Sequence, residues 1–341
     1  MGRNVRRLAL AGALLGAISA ANARAEIFKK EDLLRGITIS RAQCEAVEQT
    51  FWLTVRGREF CVRYYLSTAG GEGLRPIVFL DGDQLGKFNI KTWAWTDTSE
   101  AKDRDTDDLV SLADGFSKLG KTTAIFLGRI GVDGTSGFHM SRKTFLELDL
   151  MNAALDALKQ RYKFEGFHLA GQSGGSRLMA GLIPLRHDIA CAVFGSGRLA
   201  TPESVKSSDP ARSYFDVNIP AIAKERMLRT LVITDKTDKR VPAEAQIGFV
   251  ENMRKAGRPV PEFFVVATDD LHHGVTFYTE LAAGGCVLGR SDDEIARAIG
   301  TVVKRSTDFN ERRRKEVAAK ASIVAADKRT APAAGSAPVT H

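Results

Sequence analysis

The chain has 341 residues and a formal net charge of +8, a balance that suits a nucleic-acid binder when the charge is spread over a folded face. Here Arg3, Arg6, Arg7 and Arg24 carry four of the positive charges, residues 311–341 carry a further net four, and the body between them is formally neutral. No nucleic-acid partner is therefore expected for the body.

The positive start, the short apolar run from Leu8 to Ile18 and the small-x-small Ala23-Arg24-Ala25 predict an export signal over residues 1–25. The run is too short for an ordinary membrane span, and no later stretch is long enough, so the mature chain is expected to be periplasmic or secreted, with no stable span. Residues 26–310 suit one large domain with a well-developed core. Residues 311–341 are basic and then rich in Ala, Pro and Ser, a composition that predicts a fraying helix followed by disorder. An exported chain permits disulfides. Of the four cysteines, Cys44 with Cys61 is the preferred pair, and Cys191 with Cys286 follows if both form; two buried thiols are the alternative. No Cys/His cluster has metal-ligand spacing.

Thr50–Val55 and Phe60–Leu66 are β-branched and aromatic runs around Arg56-Gly57-Arg58, which predicts a hairpin. Pro76–Leu80 is a continuous apolar run ending in Asp81-Gly82-Asp83, as for a buried strand entering a loop. Thr122–Leu127 is a second such strand, leading into the glycine-rich loop 128–137. Ser141–Tyr162 keeps Leu146, Leu150, Ala154 and Leu158 on one helical face. Phe167–Ala170 is the next strand, with a helix from Ser176 towards Leu185. Ala190–Phe194, Leu228–Thr234 and Glu262–Ala267 are further strands, with helices at Ala243–Lys255 and Asp292–Lys304. Residues 195–227 begin without periodicity and read as a lid or a substrate-shaping insertion. Strands alternating with helices predict an α/β fold whose mostly parallel sheet is covered on both faces.

Gly115-Phe116-Ser117-Lys118-Leu119-Gly120-Lys121-Thr122 matches a phosphate-binding loop letter for letter. That motif needs a strand entering and a helix leaving. Here Asp108–Leu119 reads as helix and Thr122 onward as strand, the inverse context, so no nucleotide site is expected.

The chemistry points to Gly171-Gln172-Ser173-Gly174-Gly175, between an apolar strand and a helix. A Gly-x-Ser-x-Gly elbow lifts a serine hydroxyl clear of the sheet. Such a hydroxyl attacks a carbonyl only if a base takes its proton, and the base, normally histidine, needs an orienting carboxylate. Downstream, Asp235 or Asp238 follows one strand and His272-His273-Gly274 follows the next, so the order Ser, Asp, His is met. Asp238 lies deeper in its loop, three residues before Val241-Pro242, and is favoured over Asp235. His273 is favoured over His272 because Gly274 frees space for its ring. Gly174, directly after the serine, supplies one amide for the oxyanion. The other is expected from Gly82-Asp83, with the Asp83 amide favoured and its carboxylate turned away or paired. His168 reads as a core residue, His187 as a local contact, His341 as part of the tail, and Asp269 and Asp270 as a solvated turn.

Residues 167–175, Asp238 with Val241-Pro242, and His273-Gly274 together resemble the α/β-hydrolase superfamily, in particular its secreted serine esterase and peptidase branch related to prolyl oligopeptidase catalytic domains. The resemblance covers about Thr50 to Lys304. It implies the α/β-hydrolase fold, Ser173 as nucleophile, Asp238 as acid and His273 as base, with no metal or organic cofactor. It implies an acyl-enzyme intermediate and a small or medium ester or peptide substrate. Arg129–His139 resembles a loop bordering the active site, so Arg129 and His139 are candidates for substrate contact as well as for holding that loop. A carboxylesterase is the favoured reading, a peptidase the first alternative, and an exported binding protein without catalysis the second. The oligomeric state is left open.

Overall fold

The computed structural model describes residues 26–84, 87–89, 94–97, 101, 103–200 and 213–330. The expected signal over 1–25, residues 201–212 of the irregular stretch, and the end of the tail from 331 lie outside the described residues.

Eight strands form the central sheet: β1 (Thr50–Val55), β2 (Arg58–Ser67), β3 (Ile77–Leu80), β4 (Ala124–Leu127), β5 (Phe167–Gln172), β6 (Ile189–Gly195), β7 (Arg229–Asp235) and β8 (Glu262–Val265). Their spatial order is β1-β2-β4-β3-β5-β6-β7-β8. β1 and β2 pair antiparallel, β2 joins β4 antiparallel, and the remaining pairings are parallel. The β1–β2 hairpin turns on Arg56 and Gly57, both at positive φ (50° and 71°), the backbone that two-residue hairpin loops favour. This is the expected α/β fold with a mixed, mostly parallel sheet, and its strand order is that of the α/β hydrolases.

The layers follow from the alternation of side chains across each strand. Val78 and Leu80 of β3 face one core, which they share with Leu169, Phe194 and Val232. Ile77 and Phe79 face the other, with Phe126, Val193 and Ile233. The first core is covered by α2 (Phe145–Tyr162), α3 (Gly174–Leu182) and α4 (Glu244–Lys255). The second is covered by α1 (Thr106–Gly120), α5 (Thr276–Val287) and the first turns of α6 (Asp292–Thr330). Because β3 and β4 are buried on both faces, they read as unbroken apolar runs rather than as alternating ones.

α2 starts later than its periodicity predicts. His139–Ser141 is a 3₁₀ turn, and Thr144 caps the helix by accepting from the Glu147 amide. In the phosphate-loop look-alike, α1 runs into Gly120 and β4 leaves, so the amides that motif requires are spent inside a helix. α5 has no counterpart in the sequence reading. α6 continues past Lys304 as one helix to Thr330. Both cysteine pairs are disulfides: Cys44–Cys61 ties the short helix Arg41–Glu45 to β2, and Cys191–Cys286 ties β6 to α5. No helix among the described residues is long and apolar enough to cross a membrane.

Candidate active site

β5 ends at Gln172 and α3 begins at Gly174, which leaves Ser173 alone at the corner with φ 52° and ψ −116°. A positive φ at a residue with a Cβ costs roughly 1–3 kcal/mol and persists only where the surroundings impose it. The surroundings here are close-packed backbone. A Cβ on Gly175 would stand 1.9 Å from the Leu80 carbonyl oxygen, and one on Gly171 would stand 2.7 Å from the Ser176 nitrogen. Only glycines let α3 sit this tightly on the strand ends. The Ser173 amide donates to the Gly195 carbonyl at 2.8 Å, which fixes the corner to β6. The side chain opens on a cleft of about 300 Å³ lined by Gly82, Asp83, Gln172, Arg240, Leu271 and His273 among others.

The two candidate bases separate cleanly. His273 Nδ1 lies 2.7 Å from Asp238 Oδ2, and the Asp238 side chain is fully buried. Asp238 Oδ1 accepts from the Arg240 and Val241 amides at 2.8 and 2.9 Å, so the carboxylate is held from both sides. Because an ionised carboxylate only accepts, Nδ1 carries the proton and Nε2 presents its lone pair. His272 Nδ1 is 3.8 Å from Asp235 Oδ2, too far for a hydrogen bond. Asp235 instead accepts from the Thr237 amide and hydroxyl and from the Ala267 amide, each at 2.7 Å, and so ties the exit of β7 to that of β8. Ser173 and His273 line the same cleft without a hydrogen bond between them. An imidazole held at Nδ1 by a carboxylate is the kind of group that acts as a general base toward a hydroxyl.

On the opposite wall, Gly82 approaches Ser173 so closely that a Cβ on it would lie 3.2 Å from the Ser173 Cβ. Among the described residues, neither the Asp83 nor the Gly174 amide donates a hydrogen bond, so both are free to point donors at an oxyanion. The Asp83 carboxylate is paired rather than solvated. Arg129 Nη1, Arg142 Nε and Lys143 Nζ lie 3.0, 2.9 and 2.9 Å from it. Burial pushes its pKa up, but the three cations more than offset this and hold it well below the usual carboxylate range. Unpaired, a carboxylate about 5 Å from a developing oxyanion repels it by about 3 kcal/mol at an effective dielectric of about 20.

Arg129 and His139, expected as candidates for substrate contact, are 1% and 0% exposed, and neither lines the cleft. Arg129 binds Glu147 through two nitrogens (2.9 and 3.1 Å) and also donates to the Asp81 carbonyl at 3.0 Å. His139 Nδ1 meets the Ile130 carbonyl at 3.0 Å, and burial, helped by Arg142 and Arg129, lowers its pKa to about 3. The imidazole is therefore neutral and holds the loop. His168 sits on β5 between Ile77 and Cys191, half-buried, and His187 is exposed beside Glu225.

Sequence reasoning missed several groups. Gln172 Nε2 donates to the His273 carbonyl at 2.7 Å. Asp269, expected in a solvated turn, accepts from the amides of Leu271, His273 and Gly274. Burial raises its pKa, but the amides of Gly274 and His273 prevail and lower it. An Asp followed by amides two to five residues later is a local signal that could have found it. Arg142 and Lys143 carry no such signal, because Asp83, which they bind, lies in a loop some 60 residues earlier, and Glu147 carries none either, its partner Arg129 standing 18 residues before it across a turn.

No family model and no curated protein matches the chain in sequence. Solved structures do match. An esterase of Pyrococcus furiosus is 12% identical with a TM-score of 0.50, over 74% of this chain and 95% of its own. Est1E from Butyrivibrio proteoclasticus, bound to ferulic acid, is 13% identical with a TM-score of 0.48, over 70% of this chain and 98% of its own. The acylaminoacyl peptidase of Pyrococcus horikoshii is 13% identical with a TM-score of 0.44, and this chain spans 39% of its length. The likeness to the Pyrococcus furiosus esterase establishes a shared α/β-hydrolase fold.

Proposed function

We propose that this protein is a serine hydrolase that cleaves an ester through an acyl-enzyme. The observation that carries this reading is the convergence of Ser173, on a strained corner, and His273, held at Nδ1 by Asp238, on one cleft. In the first half-reaction the Ser173 hydroxyl attacks the ester carbonyl as His273 Nε2 takes its proton. The resulting oxyanion sits against the Gly174 and Asp83 amides. The carbon–oxygen bond to the alcohol then breaks, and His273 returns the proton to the departing oxygen. Water, deprotonated by the same imidazole, attacks the acyl-enzyme and releases the acid and the free serine.

An ester is favoured over a peptide because an alcohol departs with far less protonation than an amine, so it demands less of the imidazole. The peptidase reading is the alternative. Export is part of the proposal, and the two disulfides support it, since such bonds persist in oxidising compartments. Matched ester and amide substrates, compared by kcat/KM, test the class. Much faster ester turnover is expected. Comparable rates on the two would make the protein a peptidase, and turnover of neither would make it a binding protein on this fold.

A further inference from the structure

Asp83 places a carboxylate beside the donors of an oxyanion site, and the fold spends three cations on it. Arg129 is 1% exposed, the Arg142 and Lys143 side chains 7% and 20%, and the Asp83 side chain 12%. Glu147, fully buried, binds Arg129 from the other side and accepts from the Lys143 amide. The cluster also reaches the second donor: a Cβ on Gly174 would lie 2.2 Å from Asp83 Oδ1, so the carboxylate rests directly on the residue that follows the nucleophile. Arg129 Nη1 bridges the Asp83 carboxylate and the Asp81 carbonyl, each at 3.0 Å, and thereby sets the backbone on both sides of Gly82.

We propose that Asp83, Arg129, Arg142 and Lys143 form a positioning device for the oxyanion site: the cations fix the Asp83 carboxylate against Gly174, and this aims the Asp83 and Gly174 amides at the same point beside Ser173. This inference rests on the serine-hydrolase reading and adds to it the source of the site's geometry. The transition state, which carries the oxyanion, feels the device; the neutral ground-state ester does not. Losing a cation therefore lowers kcat more than it raises KM.

The test uses the full chain with a 4-nitrophenyl ester as substrate and an aryl trifluoromethyl ketone as a probe that becomes an oxyanion on Ser173. Lys143→Met and Asp83→Ala are compared with Lys143→Arg, which keeps the charge, and melting temperatures are recorded for each. Lys143→Met and Asp83→Ala are expected to lose tenfold or more in kcat with KM changed less than threefold. Ketone affinity should fall in parallel, and Lys143→Arg should recover most of both. Folded Lys143→Met and Asp83→Ala proteins with unchanged kcat and ketone affinity, or with a loss confined to KM, overturn the device while leaving the hydrolase reading intact. A wild-type protein that neither turns over the ester nor binds the ketone overturns both. If Asp83→Ala does not fold, Lys143→Met, at the most exposed of the cations, decides the question alone.

Discussion

Gln172 Nε2 donates to the His273 carbonyl at 2.7 Å, so the residue before the candidate nucleophile grips the backbone of the candidate base. The strand end that presents Ser173 and the loop that presents His273 are thereby joined without using the imidazole, which leaves Nε2 of His273 available for proton transfer. Gln172 is 6% exposed, and its position in the elbow is otherwise unconstrained by the motif.

Gln172→Leu removes the donor and leaves the His273 carbonyl to find another. A net hydrogen bond of this kind is worth about 1 kcal/mol in stability, so the melting temperature should fall only slightly. Ester hydrolysis should fall by about tenfold in kcat/KM, because misplaced groups cost more in rate than in stability. Steady-state kinetics beside a thermal melt checks this; equal kcat/KM for both proteins would remove Gln172 from the account.

The two carboxylates are expected to divide by role. Asp238→Asn keeps the shape but favours the wrong imidazole tautomer, a change worth roughly 10³–10⁴ in kcat for triads of this type. Asp235→Asn disturbs three hydrogen bonds that tie the ends of β7 and β8, so it should cost roughly 1–3 kcal/mol of stability with kcat reduced far less. Kinetics and denaturant melts on both variants separate them, and the reverse pattern would exchange the two assignments.

Glu280, on α5, is 9% exposed, and burial raises its pKa to about 7. In the unfolded chain the same carboxyl ionises near 4.5. Below that pH both states are protonated and the group costs nothing. As pH rises from about 4.5 to about 7 the unfolded state releases the proton first, so stability falls, and it levels off above. The full loss is about 3 kcal/mol on the linkage relation. Melting curves between pH 4 and 8 should show this decline in the wild type and a flatter profile in Glu280→Gln. Parallel profiles would mean the carboxyl finds solvent.

The two disulfides close loops of very different length, with sequence separations of 17 and 95. Chain entropy makes the longer loop the more stabilising, at about 5 kcal/mol against about 3. Replacing Cys191 and Cys286 by alanine should therefore lower the melting temperature more than replacing Cys44 and Cys61. Equal losses would show that native-state packing, rather than the unfolded chain, sets the effect.

The central strands were legible because burial on both faces leaves unbroken apolar runs, as in β3 and β4. The order of Ser173, Asp238 and His273 was legible because each stands just past such a run. α5 was not legible. It packs on the sheet with α1 and the start of α6 at its flanks, is buried over most of its length and carries Gly284 and Gly285, so it shows no helical period and carries residues that argue against a helix. The start of α3 was read two residues late, since glycines at 174 and 175 look like a loop until the closeness of the Leu80 carbonyl is known. The cations around Asp83 escaped for a different reason. They arrive from the β4 exit and the turn before α2, and only the folded sheet brings those loops together.

The proposed chemistry requires one reactive hydroxyl. A fluorophosphonate probe, followed by peptide mass mapping of the full chain, reads it directly. The expected result is a single phosphonylated residue, Ser173, with labelling abolished in Ser173→Ala and strongly slowed in His273→Ala. Wild-type protein that stays unlabelled, or that is labelled elsewhere with Ser173 untouched, would contradict it.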